Sequence, residues 1–518
     1  MNRFDEAEAA FRKTVDLLPD HADAWAELAQ VFVILKREAE AVSNALDKAL
    51  SLDSEHTSAL NQKAYLLSLQ GDQDAAIAML KHAVATAPQK AELHVNLGDM
   101  LLMYDTPSAI EAYQAALKIN ETFPEARAKL ARAYERINKI EDARTLIEAE
   151  LRDCPQSFLA RLTQVRCDLR DQKRDAAKAT LTSLSREQMG TESFTQVQKT
   201  LATVLDREGD FAAAFDAAAC ANERQLADDP ISVPAQEKIY ADIDANLKQI
   251  TKDTVEGWLC PKTSAYKSPI FFVGFPRSGT TLMEQILRVH PRFVSSDENE
   301  WVRKTFETVE PDQRNDLSTL GLDRIEALRG DYWRQVELRC GPTPHDQRRI
   351  DKMPLNILHL AFIRRIFPDA QVLVAIRDPR DCVLSGFMQA FQRTHLMDQF
   401  LTLEAAARFY GGVMDLWAHY ETVLGLNAFA YRYEDLVTAP RVMMEEILSF
   451  LGEPWDENVL QHNTLMRAEH TVATPSLRDV SEAIYTRSKQ RWPQYADQLA
   501  PVMDVLAPYI QRFGYAAQ

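Results

Sequence analysis

The sequence predicts two architectures in one chain: a stack of paired α-helices at the N-terminus, followed by an α/β domain around a central parallel sheet. Three observations predict it. Through the first third, small residues and turn residues recur at a near-constant interval. Beyond about residue 265 the pattern changes to short β-branched and aromatic runs that alternate with helical segments. Between the first such run and its following helix stands a glycine-bracketed turn, of the kind that cradles an anion at a helix start.

A chain of 518 residues is too long for one hydrophobic core, so domains of roughly 100–250 residues are expected. A net charge of −17 argues against general nucleic-acid binding, which needs clustered Lys and Arg. A small anionic ligand needs only a local basic pocket. No apolar run approaches the roughly 18 residues of a membrane-spanning helix. The segment Met1 to Phe11 mixes acids into an amphipathic pattern and lacks the apolar stretch of a secretory signal. A cytoplasmic protein without membrane insertion is expected. Cys154, Cys167, Cys220, Cys260, Cys340 and Cys382 form no CxxC pair, which fits free thiols rather than disulfides or a metal site.

The helical stack begins at the N-terminus. Pro19, Ser54, Pro88, Glu121 and Pro155 mark a period of about 34 residues. Ala29, Ala64, Gly98 and Ala131 follow the first four marks at one constant distance, where helices can pack closely. Ala49, Ala83 and Ala116 precede the middle three marks and supply the other side of that contact. Breaks such as Gln70-Gly71-Asp72 separate the paired helices. The pattern resembles tetratricopeptide repeats, which stack into a solenoid whose concave surface is the functional face. Phe4 to Phe11 reads as the second helix of a repeat whose first helix is missing, as in a truncated array. Residues 156–250 stay helical with weaker repeats, and Gly209-Asp210-Phe211 starts a helix. The pattern breaks around Cys260-Pro261-Lys262-Thr263-Ser264. The expected organisation is therefore 1–190 for the repeats, 191–264 for a helical continuation and linker, and 265–518 for the α/β domain.

In that last domain Pro269–Val273, Gln371–Ile376 and Ala428–Arg432 read as strands. After the first comes Gly274-Phe-Pro-Arg-Ser-Gly-Thr-Thr281 and the helical run from Leu282. Strand, turn and helix start aim backbone N–H groups and the positive helix end at one spot, which suits a phosphate. The glycine spacing is that of a nucleotide-binding P-loop, but Thr280 stands where that loop needs Lys to reach the β- and γ-phosphates. Arg277 supplies a different cation. Arg377 ends the strand Gln371–Ile376 and Ser385 lies on the next helix, so the two can converge on one anion beyond the sheet's carboxyl edge.

The loop Pro276-Arg277-Ser278-Gly279-Thr280-Thr281 resembles the 5′-phosphosulfate loop of the sulfotransferase superfamily. The chain as a whole resembles bacterial proteins that join tetratricopeptide repeats to a sulfotransferase domain, and more distantly the protein-tyrosine sulfotransferases. The resemblance implies a P-loop-like α/β domain that uses 3′-phosphoadenosine 5′-phosphosulfate (PAPS) as sulfonate donor and needs no metal. Arg277, Ser278, Gly279, Thr280 and Thr281 would hold the phosphosulfate, and Arg377 with Ser385 the 3′-phosphate. Tyr433, in Tyr431-Arg-Tyr-Glu-Asp-Leu436, would pack near the adenine. Thr474 to Trp492 resembles the late loop that closes over the nucleotide, which carries Ser476 and Arg491 into the donor site, with Ser488 and Lys489 as substitutes. Arg380 and Asp381 read as pairing with neighbours around a helix start.

The catalytic residues implied are Glu298, Lys352 and Arg277. Distance from His290-Pro291 puts the general base of protein-tyrosine sulfotransferases on Glu298, with Asp297 and Glu300 as competitors. Lys352, read on a loop before a helix begun by Pro354, would stabilise the leaving oxygen. His290 is an alternative base whose position looks more like a cap. Two other readings compete: a nucleotide kinase or triphosphatase, disfavoured by the missing loop Lys, and a repeat scaffold with a degenerate nucleotide domain. The acceptor stays open. A protein or peptide held by the repeats is compatible, and so is a glycan, lipid or small metabolite.

Overall fold

The computed structural model describes residues 2–70, 72–102, 105–185, 187–258, 266–296, 298–461 and 490–516. It divides into two compact units, Met1–Thr180 and Leu181–Gln518.

In the first unit, Ala22–Ile34, Thr57–Leu69, Ala91–Leu101, Ala126–Arg136 and Phe158–Arg170 open successive helix pairs. Ala39–Leu52, Gln73–Thr86, Thr106–Ile119 and Ile140–Asp153 close them. The five period marks all fall in tight turns before the opening helices. Asp72 and Asp105 cap the starts of closing helices by accepting the N–H of Ala75 and Ser108, which satisfies donors the helix leaves orphaned. Ala29, Ala64, Ala131, Ala49, Ala83 and Ala116 are wholly buried, so the predicted close contact is made. A Cβ on Gly98 would stand 2.6 Å from the Tyr113 ring. Polar contacts recur at the repeat interval as well. His56 meets Asp23 at 2.9 Å, Asn96 donates to Asn61 at 2.9 Å, and Arg170 donates to the buried Glu135 at 2.7 Å.

The second unit holds a five-stranded parallel sheet in the order β2-β3-β1-β4-β5, with β1 Ile270–Gly274, β2 Phe293–Ser296, β3 Arg348–Lys352, β4 Gln371–Ile376 and β5 Asn427–Arg432. Side chains alternate across it as strand geometry requires. Phe271, Val273, Val372, Val374 and Ile376 enter one core, and Ile270, Phe272, Leu373 and Ala375 the other. The second core takes in Met283 and Ile286 of the helix Thr280–Arg288. The first is closed in part by Leu403–Val423 and by the helices Thr191–Glu208, Phe211–Asp228 and Val233–Gln249, whose Ala202, Leu205, Ala214 and Ile243 share it. Asp210 caps Phe211–Asp228 as expected. The sequence break at Cys260 to Ser264 lies outside the described residues.

Two strands depart from expectation. Ser295 and Ser296 end β2, a strand the apolar runs do not announce, and Lys352 is the last residue of β3, not a loop residue; Pro354 then starts a 3₁₀ turn, Pro354–His359. The reason is chemical. β3 reads Arg-Arg-Ile-Asp-Lys and carries no apolar alternation, yet Arg349, Ile350, Asp351 and Lys352 are all buried. Tertiary partners neutralise these charges: Tyr332 and Asn356 donate to Asp351, and Lys352 pairs with two glutamates.

Candidate active site

Parallel strands deliver their carboxyl ends to one edge, and there the chain order reverses between β3 and β4 on either side of β1, a setting in which open α/β sheets bind ligands. Each strand sends a predicted residue there: Gly274 from β1, Glu298 two residues past β2, Lys352 from β3, Arg377 just past β4 and Tyr433 just past β5.

The loop after β1 is a backbone cradle. Arg277 has φ +71° and Gly279 φ +92°, and such left-handed residues turn successive N–H groups inward as an anion nest. Only glycine suits position 279, because a Cβ there would lie 2.3 Å from the Tyr433 ring. At Gly274 a Cβ would lie 2.8 Å from the Ala375 carbonyl. Ser278, Thr280 and Thr281 are buried, and the Ser278 hydroxyl has no hydrogen-bond partner among the described residues. An orphaned buried hydroxyl costs energy unless a ligand satisfies it. Loop, nest and orphan hydroxyl fit a phosphate-type group.

The segments read separately from sequence meet here. Arg277 Nε donates to Ser385 Oγ at 3.0 Å, and Arg377 Nη1 donates to the Arg277 carbonyl at 2.8 Å. The Arg377 guanidinium lies 4.9 Å from the Tyr433 ring centre, so Tyr433 floors both the loop and this arginine. Asp381 stands 3.8 Å from Arg377. Burial pushes the Asp381 carboxyl up to about 6, against the pull of Arg377. Arg380 pairs with Asp378 at 2.8 Å, the neighbour pairing expected at the start of Pro379–Met388.

The second cluster centres on Lys352. Its Nζ is buried, 2.8 Å from Glu298 and 3.1 Å from Glu284. Burial alone would lower the ammonium's pKa, but Glu284 and Glu298 together raise it above the ordinary lysine value. Glu284 also accepts from Ser295 Oγ at 2.6 Å. The sequence reading missed Glu284. Its only signal is a glutamate inside a helix that buries Leu282, Met283, Gln285 and Ile286 around it. Glu298 is 42% exposed, so a molecule arriving from solvent can reach its carboxylate.

The remaining candidates separate. His290 is buried, its Nδ1 accepting from the Arg292 N–H at 3.2 Å and its Nε2 2.9 Å from the Pro454 carbonyl. Both nitrogens are thus spent on a turn, the cap its position suggested. Glu300 pairs with Arg303. Arg491 does not reach the loop through any described contact: it pairs with Asp206 at 2.7 Å and leans on Met388, at the end of the Ser385 helix. Asp297, Ser476, Ser488 and Lys489 lie outside the described residues.

Fold and edge together set a loop that fits a phosphate-type group beside a carboxylate and an ammonium in an α/β domain. Residues 269–457 match the model of the sulfotransferase family, and 1–57, 57–90 and 100–153 match tetratricopeptide-repeat models. The chain is 26% identical over 313 residues to an uncharacterized protein of Aquifex aeolicus, covering 58% of this chain and 40% of that one. It is 25% identical over 259 residues to protein-tyrosine sulfotransferase A of Caenorhabditis elegans, covering 48% and 67%. Among solved structures, the sulfotransferase domain of the Synechococcus PCC 7002 olefin synthase aligns with 23% identity and a TM-score of 0.34, over 50% of this chain and 98% of that one. The chain carries a sulfotransferase-family domain preceded by tetratricopeptide repeats. Among the described residues no helix is long and apolar enough to cross a membrane.

Proposed function

We propose that this chain transfers the sulfonate group of PAPS to an acceptor hydroxyl. The observation that carries the reading is the convergence of the anion cradle, the Arg277–Ser385–Arg377 cluster and the Lys352–Glu298 pair at one sheet edge. The loop N–H groups with Ser278, Thr280 and Thr281 hold the phosphosulfate, Arg377 and Ser385 hold the 3′-phosphate, and Arg277 sits between them. When bound, the donor supplies an activated sulfonate.

Glu298 takes the acceptor's hydroxyl proton. The acceptor oxygen forms a bond to sulfur as the sulfur bond to the bridging phosphate oxygen breaks, which leaves adenosine 3′,5′-bisphosphate. Lys352 steadies the charge on that leaving oxygen, a role that requires it to stay protonated; the two glutamates that raise its pKa support this. Repeats of this type offer an extended concave surface. That and the name of the Caenorhabditis elegans relative favour a protein or peptide acceptor.

The test is transfer of label from sulfur-labelled donor into a cell lysate by the purified chain. Label in protein supports the whole reading. Label in small metabolites alone overturns the protein acceptor, and no transfer together with no binding of adenosine 3′,5′-bisphosphate overturns the enzyme.

A further inference from the structure

The helix Val233–Gln249 has 17 residues, of which only Ile243 is buried. Between it and the elements after Glu298 and Lys352 lies a cavity of about 530 Å³, within the range of small-molecule sites. None of the residues assigned to the donor or to transfer lines it.

The lining divides into an apolar body and a polar end. Ile243, Leu358, Phe362 and Leu416 supply apolar wall. The other lining cations already have carboxylate partners: Arg303 is held by Glu300 and Glu307, and Lys238 lies 3.5 Å from Asp242. Arg314 is the exception. Its side chain lines the cavity and has no ion pair or hydrogen bond among the described residues, and its Nε is sealed from solvent without a partner. A buried N–H without an acceptor is costly unless a ligand supplies one, and for a guanidinium the strongest acceptor is an anion.

We propose that this cavity is a second ligand site, for an amphipathic organic anion that sets one carboxylate or sulfate-ester head on Arg314 and its apolar body against Ile243, Leu358 and Leu416. A single cation without a carboxylate partner among the described residues suits one anionic head, which disfavours a nucleotide with several phosphates. Free sulfate or phosphate would leave the apolar wall uncovered. His359 lies on the same lining, its ring 5.2 Å from that of Phe306. Burial lowers its pKa to about 4, so near neutral pH it offers a hydrogen bond rather than a second charge.

The experiment is calorimetric titration of the full chain with decanoate and with decyl sulfate, each below its micellar range, and with 1,2-decanediol as the neutral control. Saturable one-to-one binding of an anionic probe is expected, unchanged by saturating adenosine 3′,5′-bisphosphate. Affinity falls about tenfold in Arg314→Gln, the loss of one charge-assisted contact. Ala245→Trp, which fills the cavity, abolishes binding, and melting curves verify that both variants are folded. The two anionic probes distinguish a carboxylate head from a sulfate ester. The proposal is overturned if neither anion saturates, if the diol binds as well, if Arg314→Gln retains full affinity, or if the bisphosphate displaces the probe. Binding is read without turnover, so failure of the sulfotransferase reading leaves this test intact.

Discussion

The repeat unit and the α/β unit bury different chemistry. In the repeats the interior is mostly alanine and leucine, and single residues such as Ala64 and Ala83 are wholly enclosed because helices need to approach. Charges there sit at the edge of the packing: Glu135 is buried, but its partner Arg170 is 29% exposed. In the α/β unit charge goes to the centre. Lys352, Asp351, Glu284, Arg377, Arg380 and Asp381 are all buried around the sheet's carboxyl edge. Burial of charge is expensive and seldom maximises stability. Where a fold concentrates it, chemistry is the better explanation.

The sharpest way to break this contrast is to remove one cation from each unit. Lys352→Met leaves Glu284 buried without its ammonium, so stability falls by about 3–5 kcal/mol and turnover by roughly 10²–10³-fold. Arg170→Met takes from Glu135 a partner that is itself part-exposed, and its melting temperature should fall clearly less. Equal losses in a paired melting experiment would erase the distinction between the units.

Glu298→Gln separates catalysis from packing. Turnover should drop roughly 10²–10⁴-fold, the range for a lost general base, while the melting temperature falls little, because Glu298 is part-exposed and Glu284 still pairs with Lys352. His290→Ala should do the reverse. Full activity in Glu298→Gln would sink the assignment of the base.

Two glycines give a closer comparison. Alanine at Gly98 meets the Tyr113 ring and at Gly279 the Tyr433 ring, and overpacking of this kind costs roughly 1–3 kcal/mol. Gly98→Ala should change melting only. Gly279→Ala should also weaken adenosine 3′,5′-bisphosphate binding, measured by titration. If both variants bound the nucleotide like the parent chain, the cradle would be misassigned.

The smallest effect is one of pH. Burial raises the Asp351 carboxyl to about 7, against an ordinary value near 3.9 in the unfolded chain. The folded state therefore keeps a proton that the unfolded state has released. This contribution is complete below about pH 4 and is lost as pH rises through 7, at about 1 kcal/mol per pH unit between 5 and 6.5. His359, with its pKa lowered, works in the opposite direction over that window. The readout is thus the difference between the parent chain and Asp351→Asn in denaturant midpoints across that range. A difference independent of pH would contradict the assignment.

Sequence legibility follows the same divide. The repeats were readable because close packing imposes small residues at a fixed phase, as at Ala29, Ala64, Gly98 and Ala131. The phosphate loop and the strands at Ile270, Gln371 and Asn427 were readable because apolar runs and glycines announce them. β3 was not: its residues are justified only by partners such as Tyr332 and Glu284, which periodicity cannot reveal. Glu284 escaped for the same reason, its cation lying on a strand far along the chain. Arg491 drew attention as a donor contact, but its companion, Asp206, sits on a helix that sequence placed in the helical continuation before the α/β domain.

The charged strand also bears on how the domain assembles. β3 has little hydrophobic surface with which to collapse, and its lysine and aspartate are tolerable indoors only after the Glu284 helix and the Tyr332 helix are in place. Hydrophobic neighbours such as β1 and β4 can pair first, and β3 is expected to enter between β1 and β2 late, shedding water as it goes. Conservative changes at Ile350 should therefore quicken unfolding and leave the refolding rate nearly untouched. The groups that would steady a leaving phosphate then belong to the last part of the sheet to form.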